Sequence, residues 1–214
     1  MRQLMEPLRK NIVGIPRLKD ELSEIIGKLL STTFNTDVIQ AEAHEVDLGD
    51  MNMNACYDPD LDSMARPCIE ITLVYNPLET MLVFDDSGFD TLTRRLCDAI
   101  GHEQIHQLQH RKRFWETIDN YYDDNDEDLV TAQKYLGNTD EIDAYSHNIA
   151  NELLDYTDYQ NVLTLLGNPS TITLEQSVNL WVYVNTFERR IDHPVIKRLL
   201  KKILRRLPDL VYQR

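Results

Sequence analysis

Two histidines one helical turn apart, with a glutamate beside the first, constrain this chain more than any other feature: His102-Glu103-Gln104-Ile105-His106. The flanking pattern is helical, with Leu92, Leu96, Ile100 and Leu108 recurring at helix spacing. On a helix, residues four apart share a face one turn up, so both imidazoles can close on a single metal ion. Zinc accepts imidazole nitrogen at ~2.0–2.1 Å and keeps a position open for water at catalytic sites. Glu103 is then placed as the general base that takes a proton from that water. The motif therefore demands a helix here and a further ligand from elsewhere.

His110 extends the spacing to three histidines, but a helix rises ~1.5 Å per residue, which sets residues eight apart ~12 Å from each other. Three successive turns cannot converge on one ion, so His110 is expected to be a surface or cleft residue. The longer H-E-x-x-H-x-x-G-x-x-H pattern fails too, because Gln109 stands at its glycine position and Lys112 at its last histidine. Glu141 is the better third ligand. It opens the next helix, where a carboxylate suits the positive end of the dipole, and carboxylate oxygen is an accepted partner to two histidines. Asp143 or His147, on the same helix, is expected to hold a ligand in orientation.

The rest of the chain bounds the alternatives. At 214 residues, with 42% apolar and 27% charged residues, it suits a single globular domain spanning 1–214. Seven glycines are too few for an all-β fold with its many tight turns. A net charge of −14 argues against nucleic acid as the main partner, since phosphate binding runs on Lys and Arg. Three cysteines, Cys56, Cys68 and Cys97, form no C-x-x-C pair and suit a reducing compartment, with Cys97 expected as a buried helix residue. The first residues carry no long apolar run, so no secretory signal is expected, and no window approaches the ~20 apolar residues of a membrane span. The expectation is a cytoplasmic protein.

In chain order, residues 1–14 give little periodic signal. A helix is predicted from Pro16 to Leu30, ended by Ser31-Thr32-Thr33 and Asn35, and a strand from Asp37 to Glu45. Gly49 to Arg66 reads as a long polar loop. Cys68 to Tyr75 is the clearest strand, followed by a short one at Met81–Phe84. The motif helix is predicted from Thr91 to Arg113, capped by Asp90, and the acidic stretch Asp119–Asp128 reads as a solvated loop that rims the cleft and favours basic peptides. Further helices are predicted at 139–154, 161–166, 174–190 and 194–207. The last is amphipathic and basic, with its apolar stripe expected to pack on the domain. This order is an α+β fold.

His102-Glu103-x-x-His106 followed by Glu141-x-Asp143-Ala144 resembles the zincin-like metallopeptidases with a glutamate third ligand (gluzincins). The short E-x-[DE]-A form is similar to the ImmA/IrrE group and to the catalytic domain of anthrax lethal factor. The resemblance covers residues 68–154, the core, with flanking helices at 16–30 and 161–207 outside it. It implies a small mixed sheet packed on the motif helix, an edge strand lining the cleft, Zn2+ as cofactor, and hydrolysis of a protein or peptide substrate by metal-activated water. It also implies a tyrosine or histidine near the third ligand that stabilises the oxyanion, for which Tyr135, Tyr145 and His147 are available. After Ala144 the sequence departs from the ImmA/IrrE pattern, with Tyr145 and His147 where Asn and Phe are usual. The competing expectation is a zincin-like scaffold used for binding, with any metal structural; an intact Glu103 favours the enzyme.

Overall fold

The computed structural model describes residues 2–114 and 128–212. The fold is mixed α+β, and the chain divides into two compact units, one up to residue 116 and one from residue 117. Among the described residues no helix is long and apolar enough to cross a membrane.

The first unit opens with helix α1 (Arg2–Ile12), where the sequence predicts no element. Met5, Leu8 and Ile12 fall at helix spacing and are almost wholly buried, so this short stretch is held by packing rather than by intrinsic propensity. Strand β1 (Arg17–Leu18) precedes α2 (Lys19–Phe34), which starts three residues later than the Pro16 start predicted, because Arg17 and Leu18 pair with β5 (Met81–Leu82). Asn35 ends α2 in the left-handed region (φ 53°), with its N–H on the Ser31 carbonyl, and turns the chain into β2 (Thr36–Glu42).

The polar loop predicted over Gly49–Arg66 instead holds strand β3 (Asn52–Tyr57) and the short helix α3 (Pro59–Ser63). Asn, Cys and Ala are indifferent strand formers; what makes this a strand is its antiparallel pairing with β4 (Ile69–Tyr75), from Asn52 opposite Val74 to Tyr57 opposite Ile69. β4 also pairs in parallel with β2, so the sheet order is β2-β4-β3 and the most apolar strand sits in the middle. Its alternate residues Ile69, Ile71, Leu73 and Tyr75 are buried and join Leu22, Ile26 and Leu30 of α2 in one core.

Against β3 and β4 lies the motif helix, α4 (Asp86–Lys112). It starts a turn earlier than predicted. Its cap is Asp85, whose side chain accepts from the Gly88 N–H at 2.7 Å, and not Asp90. Phe89, Leu92, Leu96 and Ile100 are its buried stripe, each contributing roughly 1.5–3 kcal/mol of hydrophobic stabilisation. Both ends of α4 are tied down. Arg9 of α1 pairs with Asp86 and Asp90 and lies over the Phe89 ring, and Asp62 of α3 receives Arg111 and Gln107.

The second unit is helical: α5 (Leu129–Gly137), α6 (Thr139–Tyr156), α7 (Tyr159–Gly167), α8 (Val178–Thr186) and α9 (Pro194–Tyr212). α5 has no counterpart in the sequence reading, and α8 is much shorter than the helix predicted over 174–190. Ser177, whose side chain accepts from the Leu180 N–H, fixes the start of α8, and the buried Glu152 of α6 in turn accepts from Ser177 and Asn179. The basic helix α9 packs its stripe Ile196, Leu199, Ile203 and Leu207 against α6 and α7, as expected. Of the acidic stretch, 119–127 lies outside the described residues; Asp128 is the N-cap of α5.

Candidate metal centre

α4 brings its two motif histidines together as the spacing requires. His102 Nε2 and His106 Nε2 lie 3.0 Å apart, with the rings edge to face at 68°. His102 and Glu103 are both buried, at 7% exposure each, so this turn of the helix carries its polar groups inside the protein. Behind His106, its Nδ1 lies 2.9 Å from Gln109 Oε1. His110, two turns from His102, packs its ring on Tyr57 at 5.4 Å, so it serves the β3 side of the helix rather than the histidine pair.

The field around Glu103 reaches the edge strand. The Cys56 thiol on β3 is pushed above its ordinary value by burial first, then by the negative charges of Glu70, Glu103 and Asp58. Cys56 itself is exposed, whereas Cys68 is the buried thiol and Cys97, expected to be buried, is only half covered. The Cys68 thiol is pushed up to about 11, by burial first and then by Asp62. Asp62 gathers donors at the foot of α4: Tyr57 Oη at 3.0 Å, Gln107 Nε2 at 3.0 Å, and Arg111 Nε and Nη2 at 2.9 and 2.6 Å. A buried carboxylate accepting from these groups, and from the Cys68 thiol at 3.6 Å, is a rigid anchor for the helix that carries the motif.

In the helical unit, Glu141 lies in the first turn of α6, whose start is set by Asn138 accepting from the Asp140 N–H at 2.9 Å. Glu141 and Tyr145 are four apart and share a face. Tyr135, on α5, donates to the Glu141 carboxylate and bonds Tyr145 as well; its hydroxyl is held far above the ordinary tyrosine value, by burial first and then by these two neighbours. Tyr145 stands edge to face with the fully buried Tyr183 of α8, at 5.6 Å between ring centroids. Glu141 is thus fixed among tyrosines from three helices.

The other two residues read from this helix have neighbours of their own within the second unit. Asp143 is two positions from Glu141, ~160° round the helix. It accepts from Lys202 Nζ at 2.8 Å and Arg206 Nη2 at 2.9 Å, so it anchors α9 instead of orienting a ligand. His147 is ~120° from Glu141 by the same helical count, and its Nε2 lies 3.1 Å from Asn151 Nδ2.

His102 and His106 in the first unit, and Glu141 in the second, each offer one ligand atom suited to a metal ion, a ring nitrogen or a carboxylate oxygen. Two imidazoles and a carboxylate are a donor set that zinc accepts, and bonds of ~2.0–2.1 Å in a tetrahedron space the donors ~3.3 Å apart. The histidine pair at 3.0 Å needs to open by only a few tenths of an ångström, which small ring rotations supply. The histidine pair fits a metal ion. Sequence reasoning passed over Gln109, Asp62 and Tyr183; the first was legible as a residue one turn beyond His106, while the other two act through partners distant in the chain.

Comparison with protein-family models, with curated proteins and with solved structures yields no match.

Proposed function

We propose that this chain is a zinc metallopeptidase of the zincin type with a glutamate third ligand. The observation that carries the reading is the His102–His106 pair, Nε2 to Nε2 at 3.0 Å on one helix face, beside a buried Glu103. A structural site needs no general base beside its first histidine, whereas hydrolysis by a metal-activated water does.

Zinc, when bound, supplies a Lewis acid and lowers the pKa of a water molecule to ~7. Glu103 takes a proton from the attacking water and returns it to the nitrogen of the departing amine. His102 and His106 would hold the ion through ring nitrogens and Glu141 through a carboxylate oxygen; Tyr135 donates to the Glu141 carboxylate. A hydroxyl from the tyrosine pair, Tyr145 in particular, donates to the carbonyl oxygen as charge develops on it. The substrate is an extended peptide. β3 is paired on one side only among the described residues, so its other edge offers backbone donors and acceptors close to the field of Glu103.

Glu103→Gln keeps the shape and the hydrogen-bonding reach and removes the basicity. This variant is expected to fold and bind one zinc per chain like wild type, while cleavage of a quenched-fluorescent peptide library falls by ~10²–10⁴-fold. Equal cleavage by both proteins would rule the enzyme out and leave a binding scaffold.

A further inference from the structure

His106 and Gln109 stand one turn apart on α4, with His106 Nδ1 2.9 Å from Gln109 Oε1. An amide oxygen can only accept, so this contact is a hydrogen bond only when the imidazole proton sits on Nδ1. A neutral imidazole has one such proton. Placing it on Nδ1 leaves a bare lone pair on Nε2, the atom that faces His102 Nε2 at 3.0 Å.

We propose that Gln109 is a positioning residue of the metal centre: its amide oxygen selects the Nδ1–H tautomer of His106 and holds the ring so that Nε2 faces the ion. The proposal rests on the metal reading above and deepens it. Metal-bound histidines commonly donate their second nitrogen to a carboxylate, carbonyl or water, which fixes the ring and raises its basicity as a ligand. Here the acceptor comes from the motif helix itself, three residues on.

The orientation of the amide separates this role from a plain contact along the helix. A glutamine that turned its nitrogen toward Nδ1 would also join the two side chains. That arrangement puts the proton on Nε2 and removes a ligand, whereas the amide oxygen on Nδ1–H prepares one. Gln109 also lets the helix continue to Lys112, where the glycine of the longer metal motif would weaken it. The chain needs that continuation, since Gln107 and Arg111 in the same stretch are the groups that grip Asp62.

The test uses the full chain and zinc alone, with two readouts. In the metal-free protein, long-range proton–nitrogen NMR should show His106 protonated at Nδ1 and bare at Nε2. In competition with a fluorescent zinc chelator, Gln109→Leu, which removes the acceptor, should bind ~10–100-fold more weakly than wild type with its helical circular dichroism intact. Gln109→Glu keeps an acceptor and cannot present a donor, so it should bind at least as tightly as wild type. An Nε2–H tautomer in wild type, equal affinity in wild type and Gln109→Leu, or equal losses in the Leu and Glu variants would each overturn the proposal. Wild type that binds no zinc would overturn the metal reading together with it, whereas wild type that binds zinc beside an unaffected Gln109→Leu would overturn this inference alone.

Discussion

Replacing Asp143 by asparagine is expected to lower stability by about 1–2 kcal/mol and to leave zinc affinity where it was. The magnitude follows from the two contacts that carry it. Lys202 Nζ and Arg206 Nη2 both donate to Asp143 Oδ1, at 2.8 and 2.9 Å. Fully buried, hydrogen bonds to a charged group contribute ~1.5–3 kcal/mol each; fully exposed, an ion pair gives ~0.2–1. The side chains are 26% (Asp143), 27% (Arg206) and 39% (Lys202) exposed, so solvent screens the pair in part. Asparagine retains one acceptor oxygen, and Arg206 keeps its bonds to Ser146 Oγ at 2.8 Å and to the residue 143 carbonyl at 3.1 Å. Urea denaturation followed by circular dichroism measures the loss. The pH dependence has a definite sign. Burial opposes the charge of Asp143, but Lys202 and Arg206 outweigh it and hold the carboxyl below its ordinary value. Its contribution is therefore complete above the unfolded value of ~3.9 and is lost as pH falls through the lower folded value. The gap between wild type and Asp143→Asn should be constant near neutrality and close in strong acid. Unchanged stability beside a tenfold or greater loss of zinc affinity would refute this, and would return Asp143 to the ligand-orienting role its place in the motif suggests.

Asp62→Ala should destabilise the first unit by ~1–3 kcal/mol in the same denaturation assay, because it takes the acceptor from Gln107 and Tyr57, while the half-exposed Arg111 is solvated instead. A loss within ~0.5 kcal/mol would mean that Asp62 does not anchor α4. The thiols should separate in a native labelling experiment near pH 8. Exposed Cys56 reacts first, while buried Cys68, pushed up to about 11, reacts only on unfolding. Rapid native labelling of Cys68 would show that the Asp62 cluster opens. His102→Ala should abolish stoichiometric zinc binding while keeping α4, whose buried stripe lies on Phe89, Leu92, Leu96 and Ile100; retained zinc would place the ion elsewhere.

Sequence alone determined what depends on spacing along the chain. The histidines meet because four residues make one helical turn, β4 is legible as a run of apolar and β-branched residues, and α6 begins at Thr139, where a helix is predicted. Tertiary structure decided what depends on partners far away. β3 has no strand signal of its own and exists through its pairing with β4, and α1 is held by the core into which Met5, Leu8 and Ile12 sink. Both Asp85 and Asp90 could cap α4; Arg9 claims Asp90, and Asp85 receives the Gly88 N–H. Nothing near Asp143 in the chain announces Lys202 and Arg206, nor does anything near Glu141 announce Tyr183. Local rules govern backbone torsion and the face a side chain occupies, whereas the choice of neighbour across that face is a property of packing, which only the folded chain contains.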